Sequence, residues 1–213
     1  MTTIECKEVC MSFGSQVVLD RVSMSFESGH IYGITGRNGS GKTVLLKLIC
    51  GLMTPTAGKI LINEKSVGPS GALHAEIGAL IERPGFLGQY SGYMNLQLLA
   101  RLRNRIGKAE IIQTMQAVGL EPKLKKRVAS YSLGMKQRLG IAQAVMENPD
   151  ILILDEPLNA IDTDGVNGIR KLISMQKQTG KLIIICSHIQ SDIDQLADQV
   201  VHLHEGKLTH KAV

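Results

Sequence analysis

The chain has 213 residues, 44% of them hydrophobic and 20% charged, which excludes a disordered or fibrous chain and suits one domain with room for a subdomain. No apolar run approaches the about 18 to 20 residues of a membrane span, and no basic segment leads into an apolar core at the N-terminus, so a cytosolic location is expected. A net charge of +5 permits an anionic partner, but with no Trp, four Tyr and three Phe surfaces for stacking on bases are scarce, and no nucleic-acid partner is expected.

Apolar residues alternate over 4–11 and again at Val18, Val22, Met24 and Phe26, which predicts half-buried strands in a small antiparallel layer. Residues 30–35 read as a short buried strand, followed by a glycine-rich turn and a helix over 42–50 that ends at Gly51. Strands are expected near 59–63 and 77–81, then helices over 93–103, 109–118 and 135–147, a helical subdomain. Strand-like runs return at 151–154 and 182–186 around a helix over 166–178, the βαβ pattern of a parallel sheet. Cys6, Cys10, Cys50 and Cys186 lack CxxC spacing and read as free, buried thiols.

Residues 36–43 read GRNGSGKT, the pattern GxxxxGK[ST], placed between a predicted strand and a predicted helix. Gly36, Gly39 and Gly41 permit a backbone that turns N–H groups toward phosphate oxygens, and the helix start adds its positive end. Arg37, Asn38 and Ser40 complete the loop, Lys42 is placed to bridge the outer phosphates, and the Thr43 hydroxyl to hold Mg²⁺. The plainer alternative is a surface turn that carries a lysine.

Residues 151–157 read ILILDEP, four apolar residues that end in adjacent carboxylates. The strand buries its body and delivers the acids at its C-terminal edge, where open α/β sheets bind ligands. Asp155 is then a Mg²⁺ ligand and Glu156 the general base on a water molecule; an acidic strand terminus followed by a turn is the alternative. His202 and His204 alternate on a strand, and two imidazoles without further ligands do not make a metal site.

Between the two motifs lies YSLGMKQR, residues 131–138, which resembles the signature of the ATP-binding-cassette (ABC) family, LSGGQxQR, with Ser132, Gly134, Gln137 and Arg138 in register. NAID at 159–162 resembles the family's D-loop, Ser187 with His188 the switch-histidine position, and Phe13 the aromatic that stacks on adenine; a core Phe is the alternative. The resemblance covers the whole chain. It implies an α/β P-loop NTPase with a RecA-like parallel-sheet core (1–83 and 150–213), a small antiparallel β layer and an inserted helical subdomain (84–149). It further implies ATP and Mg²⁺, a transmembrane permease subunit, and a homodimer or paired ABC subunit in which Ser132 and Gly134 complete the partner's site. His188 would contact the γ-phosphate. For Ser132 alone, an ordinary helix N-cap is the alternative.

Leu133 and Met135 stand where the family has glycine and glutamine, and Glu82, within IGALIERPG, stands in the region where most members have a glutamine that reaches Mg²⁺ and senses the membrane partner. A carboxylate accepts from water or metal but does not donate as an amide does. IGALIERPGF with YSLGMKQRLGIA looks like the bacitracin-resistance and lantibiotic-immunity subgroup. The implied activity is ATP hydrolysis that drives export of, or immunity to, an antimicrobial peptide or drug. A soluble ABC ATPase acting on nucleic acid or ribosomes is the alternative, as is a regulatory cassette without turnover.

Overall fold

Alternating apolar residues open the chain, and in the computed structural model, which describes residues 1–68 and 75–210, they form two long paired strands. In chain order these are β1 (Thr3–Phe13) and β2 (Gln16–Glu27), then β3 (Ile31–Thr35), α1 (Lys42–Ile49), β4 (Ala57–Ile62), β5 (Lys65–Ser66) and β6 (Ile77–Leu80). The helices α2 (Gly92–Arg103), α3 (Lys108–Ala117) and α4 (Leu133–Val145) follow. The chain then returns to β7 (Ile151–Asp155), α5 (Thr163–Gln178), β8 (Leu182–Ser187), α6 (Gln190–Asp194), β9 (Gln199–His204) and β10 (Lys207–His210).

Two sheets result. One is antiparallel in the order β2-β1-β4-β5, and the other runs β10-β9-β3-β8-β7-β6, parallel except for the β9–β10 hairpin. Every residue of β3, β7 and β8 is buried, which is why these strands read as continuous apolar runs rather than alternations. Their side chains divide between two cores. Leu152, Leu154, Ile183 and Ile185 pack with the helices α2–α5, whereas Ile151, Ile153, Ile184 and Cys186 pack with α1 and the antiparallel layer. Phe26 of β2 meets Tyr32 of β3 edge to face at 5.0 Å, an aromatic contact between the two sheets.

The helical portion is tied to the sheet by both packing and charge. At Gly78 in β6 an added Cβ would overlap the Ala144 carbonyl oxygen, so α4 lies directly against the strand's backbone. Arg103 at the end of α2 pairs with Glu76 before β6 and, at 2.9 Å, with Glu147 after α4. Lys181, 6% exposed, donates to Asn148 Oδ1 at 2.7 Å and Pro149 O at 2.5 Å, which secures the turn into β7. Burial pushes its ammonium below the usual lysine range.

Most expected elements are present with ends displaced by one to three residues, as at α5, which begins at Thr163 rather than 166 because Asp162 caps it. The hairpin β9–β10 and the short α6 were not anticipated beyond the alternation of His202 and His204. Of the four thiols, Cys6, Cys50 and Cys186 are buried, but Cys10 is only partly so. It lies where β1 is irregular, and its Sγ accepts from Arg21 N at 3.3 Å. Replacing Gly78 with Ala is expected to lower stability by about 1–3 kcal/mol, because a backbone oxygen cannot retreat as a side chain can. Chemical denaturation measures it.

Candidate functional site

Parallel pairing sets Thr35 beside Ser187 and Asp155 beside Cys186, so β3, β7 and β8 end along one edge. The loop after β3 turns through Gly36 and Gly39 into α1. Gly36 has no room for a side chain, since a Cβ would overlap Leu203 O and lie 2.7 Å from Ser40 Oγ. Gly41 caps α1 in the left-handed region at φ 104° and offers no side-chain acceptor, and no acidic residue stands in the helix's first turn. The first N–H groups of α1 are therefore left for an outside acceptor.

Lys42 is 6% exposed, and its ammonium rests on the carbonyls of Gly36 (2.7 Å) and Arg37 (3.2 Å). Ser40 Oγ is buried without a hydrogen-bond partner among the described residues. An open cavity of about 220 Å³ is lined by Val18, Asn38, Gly39, Gly41, Lys42, Thr43, Val44, Asp155 and Glu156. Uncapped amides, a buried ammonium and an orphaned hydroxyl fit a polyphosphate.

The carboxylates face this loop. Thr43 Oγ1 donates to Asp155 Oδ2 at 2.7 Å, which places side by side two oxygens of the kind that ligate Mg²⁺. Asp155 is 7% exposed, and burial raises its pKa above the usual carboxylate value, an effect opposed by the Thr43 hydroxyl and reinforced by Glu156. Glu156 has left-handed backbone (φ 50°). Its Oε2 accepts from Ser187 Oγ at 3.1 Å, and its Oε1 accepts from His188 N at 2.9 Å and from the His188 ring at Nδ1, 2.7 Å away. Lys42, Thr43, Asp155, Glu156 and His188 thus converge.

Other expected site residues lie outside that cavity. Phe13, 49% exposed, ends β1 at the turn into β2. Ser132 caps α4, its hydroxyl accepting from Met135 N at 3.2 Å. With Gly134 it lines a separate cavity bounded by Leu120, Leu124 and Ala160. The Glu82 carboxylate points to Lys47 of α1, 2.7 Å away, while its main-chain N–H serves Asp155. Glu82 also borders a second cleft, of about 250 Å³, that it shares with Asp155, Glu156, Gln137 and Asn159. A metal role for the Glu82 side chain therefore requires it to leave Lys47. That pair, and the contacts made by Ser187, Gln137 and Arg138, had no signal in the sequence because each joins residues distant along the chain.

Residues 19–159 match the model of the ABC transporter family. The chain belongs to that family. It is 40% identical over 210 residues to the bacitracin transport ATP-binding protein BcrA of Enterococcus faecalis, covering 98% of this chain and 68% of that protein. To the lantibiotic transport ATP-binding protein SrtF of Streptococcus pyogenes it is 35% identical over 197 residues, 92% of this chain and 85% of the other. A solved ATP-binding subunit of an ABC transporter superposes with a TM-score of 0.87 at 28% identity, covering 99% of this chain and 89% of that one. The chain is accordingly an ABC ATPase cassette, with ATP and Mg²⁺ as its ligands, similar to ATP-binding proteins of bacitracin and lantibiotic transport.

The raised pKa of Asp155 has a definite sign in stability. Between the unfolded carboxylate value and the raised folded one, the folded cassette holds more protons than the unfolded chain, so stability falls as pH rises through that window. Asp155→Asn is expected to raise the melting temperature of the metal-free cassette at neutral pH, since the amide has no charge to keep out of water. The gain should shrink under acid conditions, where Asp155 is protonated in both states. Thermal melts of the two proteins across pH test this.

Proposed function

We propose that the cassette is the ATP-hydrolysing subunit of a transporter whose separate transmembrane permease moves an antimicrobial peptide or drug out of the cell, giving export or immunity. The convergence of Lys42, Thr43, Asp155 and Glu156 on one cavity, with His188 bonded to the Glu156 carboxylate, carries the reading. Bacitracin and lantibiotic transport in the names of similar proteins supports the substrate class. No helix among the described residues is long and apolar enough to cross a membrane, which accords with a peripheral subunit held at the inner membrane face by its permease.

ATP with Mg²⁺ supplies the phosphoryl group and the charge that screens its transfer. The N–H groups of 36–43 and the Lys42 ammonium, released from its two carbonyls, bind the phosphate oxygens. Thr43 and Asp155 would hold the metal. Glu156 accepts the proton of a water molecule, and His188 orients that water and meets the terminal phosphate. Phe13 offers its exposed ring to the base. Ser132 and Gly134 line a cavity apart from Lys42, which supports their use by a second cassette, so that two copies, or a paired ABC subunit, close over two nucleotides. In this reading 1–83 and 150–213 form the catalytic part, and 84–149 the helical part that carries the signature.

Glu156→Gln is expected to retain ATP binding and to accumulate an ATP-bound dimer on size-exclusion chromatography while hydrolysis falls by a hundredfold or more, roughly the contribution of general base catalysis; unchanged turnover removes Glu156 from that role. Glu82→Gln separates from Lys47 an exposed pair worth roughly 0–1 kcal/mol, so stability should barely move. The expected effect is a changed stimulation of turnover by the permease, measured with the reconstituted transporter. Equal stimulation would show that Glu82 has no part in coupling.

A further inference from the structure

Residues 156–162 run from the carboxylate at the end of β7 to the cap of α5, and α4 grips this stretch at three places. Gln137 Nε2 donates to the Glu156 carbonyl at 2.8 Å. Gly134 lies so near Ala160 that an added Cβ would stand 2.5 Å from its carbonyl oxygen. Arg138 Nη2 is 2.9 Å from both carboxylate oxygens of Asp162, which in turn accepts from Gly165 N at 2.7 Å.

The stretch needs such a grip. Glu156 (φ 50°) and Ala160 (φ 62°) both occupy the left-handed region, which residues with side chains adopt only where their surroundings impose it. From the sheet side, Glu156 N donates to Cys186 O at 2.8 Å. From the helix side, Gln137 takes the carbonyl of the same residue. Both main-chain polar groups of Glu156 are thus held, the N–H by β8 and the carbonyl by α4 and by Asn159 N at 3.2 Å, while the carboxylate is bonded to Ser187 and His188 and the residue borders the cleft it shares with Gln137 and Asp155.

We infer that Gln137 is a positioning residue for hydrolysis: its amide N–H holds the Glu156 main chain in the left-handed conformation that directs the carboxylate, and so ties the helix capped by Ser132 to the cassette's own base. This rests on Glu156 acting as the general base. The position requires a donor of this length. A glutamate there would set a carboxylate against the carbonyl, and an alanine would leave the carbonyl without this partner.

Gln137→Ala and the isosteric Gln137→Glu in the full chain test the inference, alone and combined with Glu156→Gln. For each single variant, MgATP affinity should stay within about twofold while kcat falls roughly five- to tenfold, the effect of one lost hydrogen bond on the aligned state. Amide hydrogen exchange should quicken over 156–162 and remain unchanged over 36–43. In the Glu156→Gln background a Gln137 substitution should lower the residual rate no further, because a group that acts only through the carboxylate has no effect once the carboxylate is gone. Wild-type kcat and exchange in both Gln137 variants overturn the inference. So does an equal fractional loss in the Glu156→Gln background, or a lost rate accompanied by weakened MgATP binding and faster exchange throughout the chain. Full turnover by Glu156→Gln alone removes the base reading and this inference with it, whereas collapse of that variant beside fully active Gln137 variants removes this inference only.

Discussion

In-register parallel pairing of β3, β8 and β7 is the constraint from which the cleft follows. It aligns Thr35 with Ser187 and Asp155 with Cys186, so the glycine-rich loop of 36–43, the two acids and His188 leave the sheet along the same edge. The pairing is secured by burial on both faces, with alternate side chains of β7 and β8 shared between two cores. A slip of one residue would exchange those faces and scatter the polar groups. Polar chemistry at the edge is thus placed by apolar packing behind it.

Several features of the cleft oppose stability. Asp155 is a carboxylate taken out of water, α1 starts without a side-chain cap, and Glu156 sits in left-handed backbone. Two of these have a local compensation: Thr43 donates to Asp155, and Glu156 is held through its main chain and both carboxylate oxygens, whereas the first N–H groups of α1 have no side-chain acceptor. These compensations come from groups that the proposed mechanism also assigns to the nucleotide and its metal. Ligand binding therefore replaces one set of partners with another rather than filling a neutral hole, and a bound nucleotide stabilises the cassette in proportion to its affinity.

Much of this was legible in the sequence, and the reason differs from element to element. The runs ILILDE and LIIICS announce strands buried on both faces, and GRNGSGKT announces a loop that few other physical demands would produce. The helices of 84–149 were found by periodicity, although two of their starts were missed where Ser91 and Ser132 set the boundary by capping, as that of α5 was at Asp162. Contacts across the fold were beyond reach. Nothing near Glu82 points to Lys47, 35 residues earlier, and nothing in YSLGMKQR says that Gln137 reaches the Glu156 carbonyl rather than a neighbouring helix. Short edge elements such as β10 and α6 carry too few residues for a period to emerge.

The sulfur of Cys186 lies one strand away from Asp155, fully enclosed, and burial with the nearby carboxylates raises its thiol well above the ordinary range. Cys6 and Cys50 are pushed up to about 12 by burial alone. Since the thiolate is the reactive species, these three sulfurs are poor nucleophiles toward alkylating agents and peroxide. Of the four sulfurs only that of Cys10, in the outer β layer, is not buried, so reagents that reach the cassette from solvent meet it first.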